Sequence, residues 1–113
     1  MDFKIHKAEG EQLNLENEIR GKVQAGNYVI RAHAFREAFK DGITQQDILQ
    51  VLFAGEVIED YRPEREECLM LGYTIVDNIP VHIAVNHEER VIVKTCYVPQ
   101  ADQWIKDRIR KRR

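Results

Sequence analysis

The hydrophobic pattern of this chain changes its period at Gly55, and this change constrains the fold more than any other feature. Before Gly55, apolar residues recur at helical spacing, as Leu15, Ile19 and Val23 do. After Gly55, apolar and polar residues alternate through most segments as far as Val98, which is typical of half-buried strands. Helices followed by a run of strands indicate an α+β domain.

The first half of the chain predicts three helices and one short strand. Residues 11–25 form the first helix, which Gly26 should end, and residues 27–31 alternate as a short strand. Residues 32–40 form the second helix. The third helix begins at Thr44, a favourable N-cap residue, and we expect it to run as far as the stop signal at Gly55.

The second half predicts four strands joined by short polar turns, which is the pattern of antiparallel hairpins. The strands are residues 56–61, 67–74, 79–86 and 91–98. Pro99 should end the last strand, and a final helix should carry Trp104, Ile105 and Ile109. The expected architecture is N-terminal helices packed on one face of a four-stranded antiparallel meander, followed by a C-terminal helix.

Length and composition are those of one globular domain. At 113 residues the chain is of ordinary domain size, and we divide it into an N-terminal helical extension (1–26) and a core (27–113). No apolar run approaches the ~20 residues that span a bilayer. The N-terminus lacks the apolar stretch of a signal peptide, so we expect a cytoplasmic protein with no membrane association.

Charge is distributed unevenly along the chain. Residues 106–113 hold six of the 17 basic residues and one acid, so this segment has a net charge of +5. The net charge of the whole chain is −2, so residues 1–105 have a net charge of −7. A terminal basic block can follow a phosphate backbone or meet an acidic partner. It can equally be the solvated last turn of a helix, and the sequence leaves both interpretations open.

The two cysteines favour a structural role over chemistry. Cys68 and Cys96 both fall inside strand patterns and lack the close spacing of a metal-binding pair. We therefore expect buried free thiols in a reducing compartment. The sequence predicts no metal site and no cofactor.

Hairpin geometry places a polar patch on one sheet face. If the loop at residues 87–90 is symmetric, His82 lies opposite Thr95, and both share a face with Tyr97. A two-residue turn at positions 77–78 would bring Tyr73 beside His82. Val81, Ile83 and Val85 would then point toward the helices.

This patch is the first candidate site. His82 could act as a general acid or base, with Thr95 and Tyr97 beside it. Tyr73 could stack on bases, while Lys94 and Arg90 hold phosphate. The alternative interpretation is a solvated sheet face with cross-strand packing of the tyrosines.

His33 is the second candidate, because it lies at a strand-to-helix junction. Arg36 and Glu37 follow it at helical spacing, on the same side of the predicted helix. This cluster could be catalytic, or it could be a capping and salt-bridge arrangement. Glu56 and Asp60 alternate onto one face of the next strand, where they could exchange protons or face solvent as ordinary charges.

The chain resembles a bacterial and archaeal family, domain of unknown function 4258, in an ordered set of short motifs. In sequence order these are HA, GI, DIL, GEVIEDY, CLMLGY, PVHIAV and VIVKTCYVP, followed by a tryptophan. The resemblance covers residues 28–104 and implies a compact fold similar to RelE and barnase toxins. It also implies a toxin–antitoxin role, with a small zinc-finger antitoxin as partner. The characteristic positions of the family correspond to His33, Gly55, Glu56, Asp60, Cys68, Gly72, His82, Thr95 and Tyr97.

One departure from the family pattern affects phosphate binding. Many members carry arginines where this chain has Glu37 and Asp41, and Arg36 could replace one of them from the next position.

Three function hypotheses follow. The first is an RNA-cleaving toxin that needs no metal and uses His33 and His82 as base and acid, with Arg36 and Lys94 stabilising the phosphorane and Tyr97 positioning RNA. The second is a non-enzymatic domain of the same fold that binds a protein partner. A sequence-independent nucleic-acid binder is a third option, which the acidic residues 1–105 disfavour.

Overall fold

A computed structural model describes residues 9–112, which form three helices, a five-stranded sheet and a two-stranded hairpin. The elements are α1 (Glu9–Gln24), β1 (Tyr28–Ile30), α2 (Ala32–Lys40), α3 (Gln45–Ala54), β2 (Glu56–Asp60), β3 (Glu67–Tyr73), β4 (Pro80–Asn86), β5 (Val91–Tyr97), β6 (Trp104–Ile105) and β7 (Ile109–Arg110).

The sheet is mixed, so the predicted four-stranded antiparallel meander is wrong. Its strand order is β1-β5-β4-β3-β2; β2 to β5 pair antiparallel in sequence order, and β1 adds a parallel fifth strand beside β5. The Val91 amide donates to the Asn27 carbonyl, and the Arg31 amide donates to the Val93 carbonyl (both 3.1 Å). A three-residue strand carries too little pattern to specify a partner so distant in sequence.

The predicted C-terminal helix is also wrong, because the chain turns back on itself after Trp104. Strands β6 and β7 form a small antiparallel hairpin in which Trp104 pairs with Arg110. Lys106 and Asp107 at its tip have φ angles of 50° and 65°. Two consecutive left-handed residues are incompatible with a right-handed helix and produce a tight turn.

The main core lies between the helices and one face of the sheet. Val81, Ile83 and Val85 of β4 are buried there together with Ile48 and Val51 of α3, which confirms the predicted direction of these three strand residues. Helix α2 packs against β5 and α3 against β3.

Helix α3 begins with the capping arrangement that its sequence indicates. The Thr44 hydroxyl accepts from the Asp47 amide at 3.1 Å, and the Asp47 carboxylate accepts from the Thr44 amide at 2.9 Å. The second carboxylate oxygen of Asp47 accepts from the Ile75 amide at 2.9 Å. One side chain therefore caps a helix and anchors the turn between β3 and β4.

The other face of the sheet is covered over only part of its area. The β6–β7 hairpin lies over it, and Leu69, Leu71, His82 and Trp104 are buried on this side, outside the main core cluster. At the end of the sheet that carries the β4–β5 turn, this face is open. This open area contains the cavity described below.

Candidate functional site

The open end of the sheet contains a cavity of about 370 Å³ with a largely polar lining. Its walls come from the β1–α2 junction, the ends of β3 and β4, the β4–β5 turn and the first half of β5. The lining residues are Arg31, Glu67, Asn86, Glu88, Glu89, Arg90, Ile92 and Lys94.

The parallel pairing of β1 brings Arg31 to this cavity. Ile30 pairs with Val93, and the Arg31 amide donates to the Val93 carbonyl, so Arg31 lies beside Lys94 at the edge of β5. Arg31 is also the N-cap residue of α2, which places the first turn of that helix at the same edge. Arg31 was not among the residues predicted from the sequence, although it stands directly before a predicted helix.

A β-bulge brings Lys94 to the cavity. Ala84 pairs with Thr95 while Val85 pairs with Val93, which leaves Lys94 as the extra residue of β5. Its amino group contacts the Glu67 carboxylate at 2.8 Å. This hydrogen bond holds the pKa of Glu67 below its ordinary value, against the opposing effect of burial.

Three arginines of α2, its N-cap and the β4–β5 turn have no partner for their guanidinium groups among the described residues, whereas Arg65 pairs with Glu67 at 3.4 Å. Within residues 9–112, Arg31, Arg36 and Arg90 form no ion pair or side-chain hydrogen bond, and all three are exposed. By contrast, the guanidinium group of Arg62 is bound to Asp60, and that of Arg110 to Glu59. Arg31 and Arg90 at the cavity and Arg36 on α2 are therefore available to an external anion, whereas Arg62 and Arg110 are already neutralised.

His33 and Arg36 occupy exposed positions on α2. The helix buries Ala34 and Ala38 against β5, so residues 33 and 36 lie on a flank that faces solvent. Glu37 pairs with Lys40 at 3.7 Å rather than with His33, and Arg31 makes no side-chain cap. The His33 ring has no hydrogen-bond partner in the described part of the chain.

The predicted pairing of His82 with Thr95 is wrong. His82 lies opposite Tyr97, Thr95 lies opposite Ala84, and Tyr73 lies opposite Pro80 rather than beside His82. Asn86 pairs with Ile92 rather than with Val91, and the bulge at Lys94 shifts the register of β5 by one further residue. The β3–β4 turn is also longer than two residues. The four residues therefore do not form one exposed patch.

His82 is fully buried, and both ring nitrogens have partners. Nε2 lies 2.6 Å from the Asp107 carbonyl and Nδ1 lies 3.3 Å from the Tyr97 hydroxyl. A carbonyl can only accept, so Nε2 carries the proton and Nδ1 accepts from the Tyr97 hydroxyl. The ring also contacts Trp104 edge to face, at 4.4 Å between centroids. Burial lowers the pKa of His82, which favours this neutral tautomer.

The other residues of the predicted patch lie at different distances from the cavity, and two of them line it. Tyr97 is half-buried against His82, and burial raises the pKa of its phenol. Tyr73 lies near the opposite end of β3, with 37% of its surface exposed. Thr95 follows Lys94 directly, while Lys94 and Arg90 both line the cavity.

The acidic residues of β2 are matched by arginines of the C-terminal hairpin. A bulge at Ile58 places Glu59, rather than Asp60, on the same face as Glu56. Arg108 pairs with Glu56, and Arg110 pairs with Glu59 at 3.0 Å while stacking on Trp104. Part of the basic C-terminal block thus holds the hairpin to the sheet.

His87 was assigned no role from the sequence, yet it is 2% exposed. Its Nδ1 lies 3.7 Å from the Glu66 carboxylate, and its Nε2 has no hydrogen-bond partner within residues 9–112. Burial lowers its pKa. The polar loop sequence around His87 did not predict its burial, because the residues that surround its ring come from α1 and the β2–β3 turn, which are distant in sequence.

Three further features of the part of the chain that the structure describes concern metal binding, thiol reactivity and membrane spanning. Within residues 9–112, no group of three or more His, Cys, Asp or Glu side chains is arranged to hold a metal ion. Cys68 and Cys96 are buried, and burial raises the pKa of both thiols. None of the helices in this range is long and apolar enough to cross a bilayer.

Comparison with known proteins gives one match. A family model described as a domain of unknown function (DUF4258) matches residues 30–98, which is more than half of the chain. Neither the curated proteins nor the solved structures contain a match. The matched segment includes His33, Arg36, Arg90 and Lys94, and it ends before the C-terminal hairpin.

Proposed function

This chain belongs to the family of the domain of unknown function DUF4258, and we propose that it is a toxin-like component of a toxin–antitoxin system that binds and cleaves RNA without a metal. The observation that carries this proposal is a set of three exposed arginines without ion pairs within residues 9–112. Arg31 and Arg90 line the cavity, and Arg36 lies on α2, the helix that begins beside Arg31.

Unpaired guanidinium groups suit a phosphodiester. Each guanidinium can donate two parallel hydrogen bonds to phosphate oxygens, and its positive charge offsets theirs. Lys94 adds a third positive group to the cavity wall, beside Arg31 and Arg90, although it is shared with Glu67. The backbone of a single RNA strand that runs along the edge of β5 could contact these side chains in succession.

The net charge of the lining limits the strength of such binding. Three basic residues are balanced by Glu67, Glu88 and Glu89 in the same walls. We therefore expect little affinity for nucleic acid in general, because non-specific binding depends on a surplus of positive charge. Recognition would rest on the placement of individual arginines.

His33 is the acid–base group of the proposed site. In the proposed reaction its imidazole accepts the proton of a ribose 2′-hydroxyl, whose oxygen attacks the adjacent phosphorus. The P–O5′ bond breaks, water protonates the leaving oxygen, and the products carry a 2′,3′-cyclic phosphate and a 5′-hydroxyl. Arg36, three residues along the same helix face, stabilises the negative charge of the phosphorane.

His82 is left out of this site. Its ring is fully buried, and both nitrogens are bonded to residues of the fold, so no substrate can reach it without displacing the hairpin. The family position at His82 then reflects structure rather than catalysis. In this proposal the natural inhibitor is a small antitoxin protein, of the zinc-finger type that the family resemblance implies.

The test combines growth with a direct assay. Induced expression of the full chain should slow bacterial growth, and the purified protein should cut RNA in EDTA, with or without ribosomes. His33→Gln should reduce cleavage by about 10²-fold or more, as the loss of a general acid–base group does. Arg36→Gln and Arg90→Gln should also reduce it.

The matched control is Lys40→Gln, which removes an exposed cation from the same helix at the end away from His33. It should behave like the parent. Unchanged cleavage in His33→Gln would remove His33 from the mechanism. If the parent cuts no RNA and leaves growth unaffected, the non-enzymatic interaction domain replaces the toxin hypothesis.

A further inference from the structure

A second surface lies at the far end of the sheet, where the β3–β4 turn exposes a cluster of apolar side chains. Val76 is 71% exposed, Ile75 56% and Ile79 40%. Single exposed apolar residues are ordinary, but adjacent ones within a single turn form a patch of the kind that marks interaction sites.

The turn that carries this patch is held in one conformation. The Thr74 amide donates to the Ile79 carbonyl at 2.8 Å, and the Thr74 hydroxyl accepts from the Ile79 amide at 2.9 Å while donating to the Val76 carbonyl. Asp77 and Asn78 supply the two left-handed positions, with φ of 68° and 53°. The apolar side chains are therefore presented by an ordered backbone, which lowers the entropic cost of binding.

A groove of about 320 Å³ separates this turn from the turn between α2 and α3. Asp41, Gly42 and Thr44 form its other wall, and the Asp47 carboxylate joins the two walls through the Ile75 amide. Phe39, with 85% of its surface exposed, precedes this wall by two residues. The volume is sufficient for one or two large apolar side chains.

The groove is acidic, which favours a partner with positive charge. Its lining contains Asp41, Asp47 and Asp77, and among the described residues that line it there is no lysine or arginine. Asp47 is committed to the cap of α3. Asp41 accepts from the Val98 amide at 2.9 Å through one carboxylate oxygen, but its side chain is exposed at the rim, as is that of Asp77. Exposed carboxylates beside the apolar side chains of the turn are complementary to an apolar segment flanked by basic residues.

We propose that this groove docks an amphipathic peptide segment of a protein partner, with apolar side chains in the groove and lysine or arginine against Asp41 and Asp77. The groove and the cavity lie at opposite ends of β4, which spans about 20 Å at the usual rise per residue. The proposal does not depend on RNA cleavage, and a partner docked here would leave the cavity open.

The test uses the isotope-labelled full chain and a short synthetic amphipathic peptide of leucine and lysine. The matched peptide replaces every lysine with glutamate. We expect the basic peptide to shift the backbone amide resonances of Gly42, Ile75, Val76 and Asp77, and the acidic peptide to leave them unchanged. Binding should weaken as ionic strength rises, because the rim contacts are exposed ion pairs.

Three variants separate the contributions. Val76→Ser should weaken binding by about tenfold through lost apolar contact. Asp77→Asn keeps a residue that accepts the left-handed backbone and removes one charge, so it should weaken binding and reduce its salt dependence. Leu13→Ser, which removes a 53% exposed leucine from α1, should bind like the parent.

Equal binding of the acidic peptide, or undiminished binding by Val76→Ser, would overturn the proposal. Sedimentation of the free chain provides the remaining check. If the parent is a dimer that Val76→Ser converts to a monomer, the occupant is a second copy of this chain and the proposal is wrong. RNA cleavage measured on the same variants should equal that of the parent.

Discussion

At the scale of single residues, neighbouring groups decide what a histidine can do. His33 and His82 both belong to the positions that resemble the family, but one is exposed on a helix and the other is enclosed. The enclosed ring donates to the Asp107 carbonyl and packs against Trp104 and Tyr97. It therefore holds the C-terminal hairpin in place.

Replacement of this ring should loosen the hairpin. We expect His82→Ala to lower the free energy of unfolding by about 2–4 kcal/mol, because it leaves a cavity and an unpaired buried carbonyl. Trp104 is the single tryptophan of the chain, so its fluorescence should shift to the red when the hairpin detaches. Urea denaturation and emission spectra measure both effects.

The control for that experiment is His33→Ala, which should leave stability within about 0.5 kcal/mol of the parent, as exposed substitutions generally do. A His82→Ala protein with parental stability and an unshifted emission maximum would show that the ring does not support the hairpin.

At the scale of elements, helix α3 packs on β3 with no room for a side chain at Gly72. A Cβ built there would lie 2.6 Å from Cγ2 of Val51, well inside van der Waals contact. Valine in a helix is confined to one principal χ1 rotamer, so Val51 cannot turn aside. The glycine sets the distance between helix and sheet.

Gly72→Ala should therefore destabilise the protein by about 1–3 kcal/mol, the usual cost of an overpacked core. In the double variant Gly72→Ala with Val51→Ala, the added methyl group occupies part of the space that Val51 leaves. The combined loss should be smaller than the sum of the single losses by about 0.5–3 kcal/mol. A double-mutant cycle from urea denaturation measures this coupling, and strictly additive losses would refute the contact.

At the scale of the whole molecule, the sheet separates two buried regions that each contain a histidine. His82 lies beneath the hairpin on one face, and His87 lies at the end of β4 close to Glu66 and α1. Burial lowers the pKa of both side chains in the folded protein. In the unfolded chain both rings regain the ordinary value of about 6.5.

Stability should consequently fall as the solution is acidified. Below about pH 6.5 the unfolded chain binds protons that the folded chain excludes, so the unfolding free energy decreases until the folded-state pKa is passed. Each histidine contributes up to about 1.4 kcal/mol per pH unit within that window. Urea denaturation from about pH 7.5 to about pH 5 measures the slope, above the range in which carboxylates titrate.

His82→Gln and His87→Gln should each flatten this slope. His33→Gln is the matched control, because its ring is exposed, and its profile should parallel that of the parent. A parental slope in both buried-histidine variants would mean that other groups cause the acid sensitivity.

Local pattern determined most of the secondary structure. The predicted helix at residues 32–40 matches α2, and the four predicted strands match β2 to β5 to within one residue at each end. The cap at Thr44 was also readable. These features depend on propensity, capping and periodicity over a few residues, and all of that information is present in the sequence.

Residue type likewise indicated part of the candidate site. Arg90 and Lys94 were selected as groups that could hold phosphate, and both line the cavity, whereas His33 and Arg36 lie on α2 and are not among the lining residues. The grouping of Arg90 and Lys94 with Arg31 could not be predicted, because it arises from the parallel pairing of β1 with β5.

Tertiary structure decided which side chains meet. One extra residue in a strand changes which residues lie opposite and on which face they lie. The bulge at Ile58 put Glu59 in place of Asp60 on the face of Glu56, and the register of β5 put Tyr97 in place of Thr95 opposite His82. The C-terminal segment became a hairpin because its contacts with the sheet, through Trp104 and Arg110, lie outside any local window. Alternation predicts that a segment is a strand; the backbone geometry of its neighbours determines which residue lies opposite and whether a histidine reaches solvent.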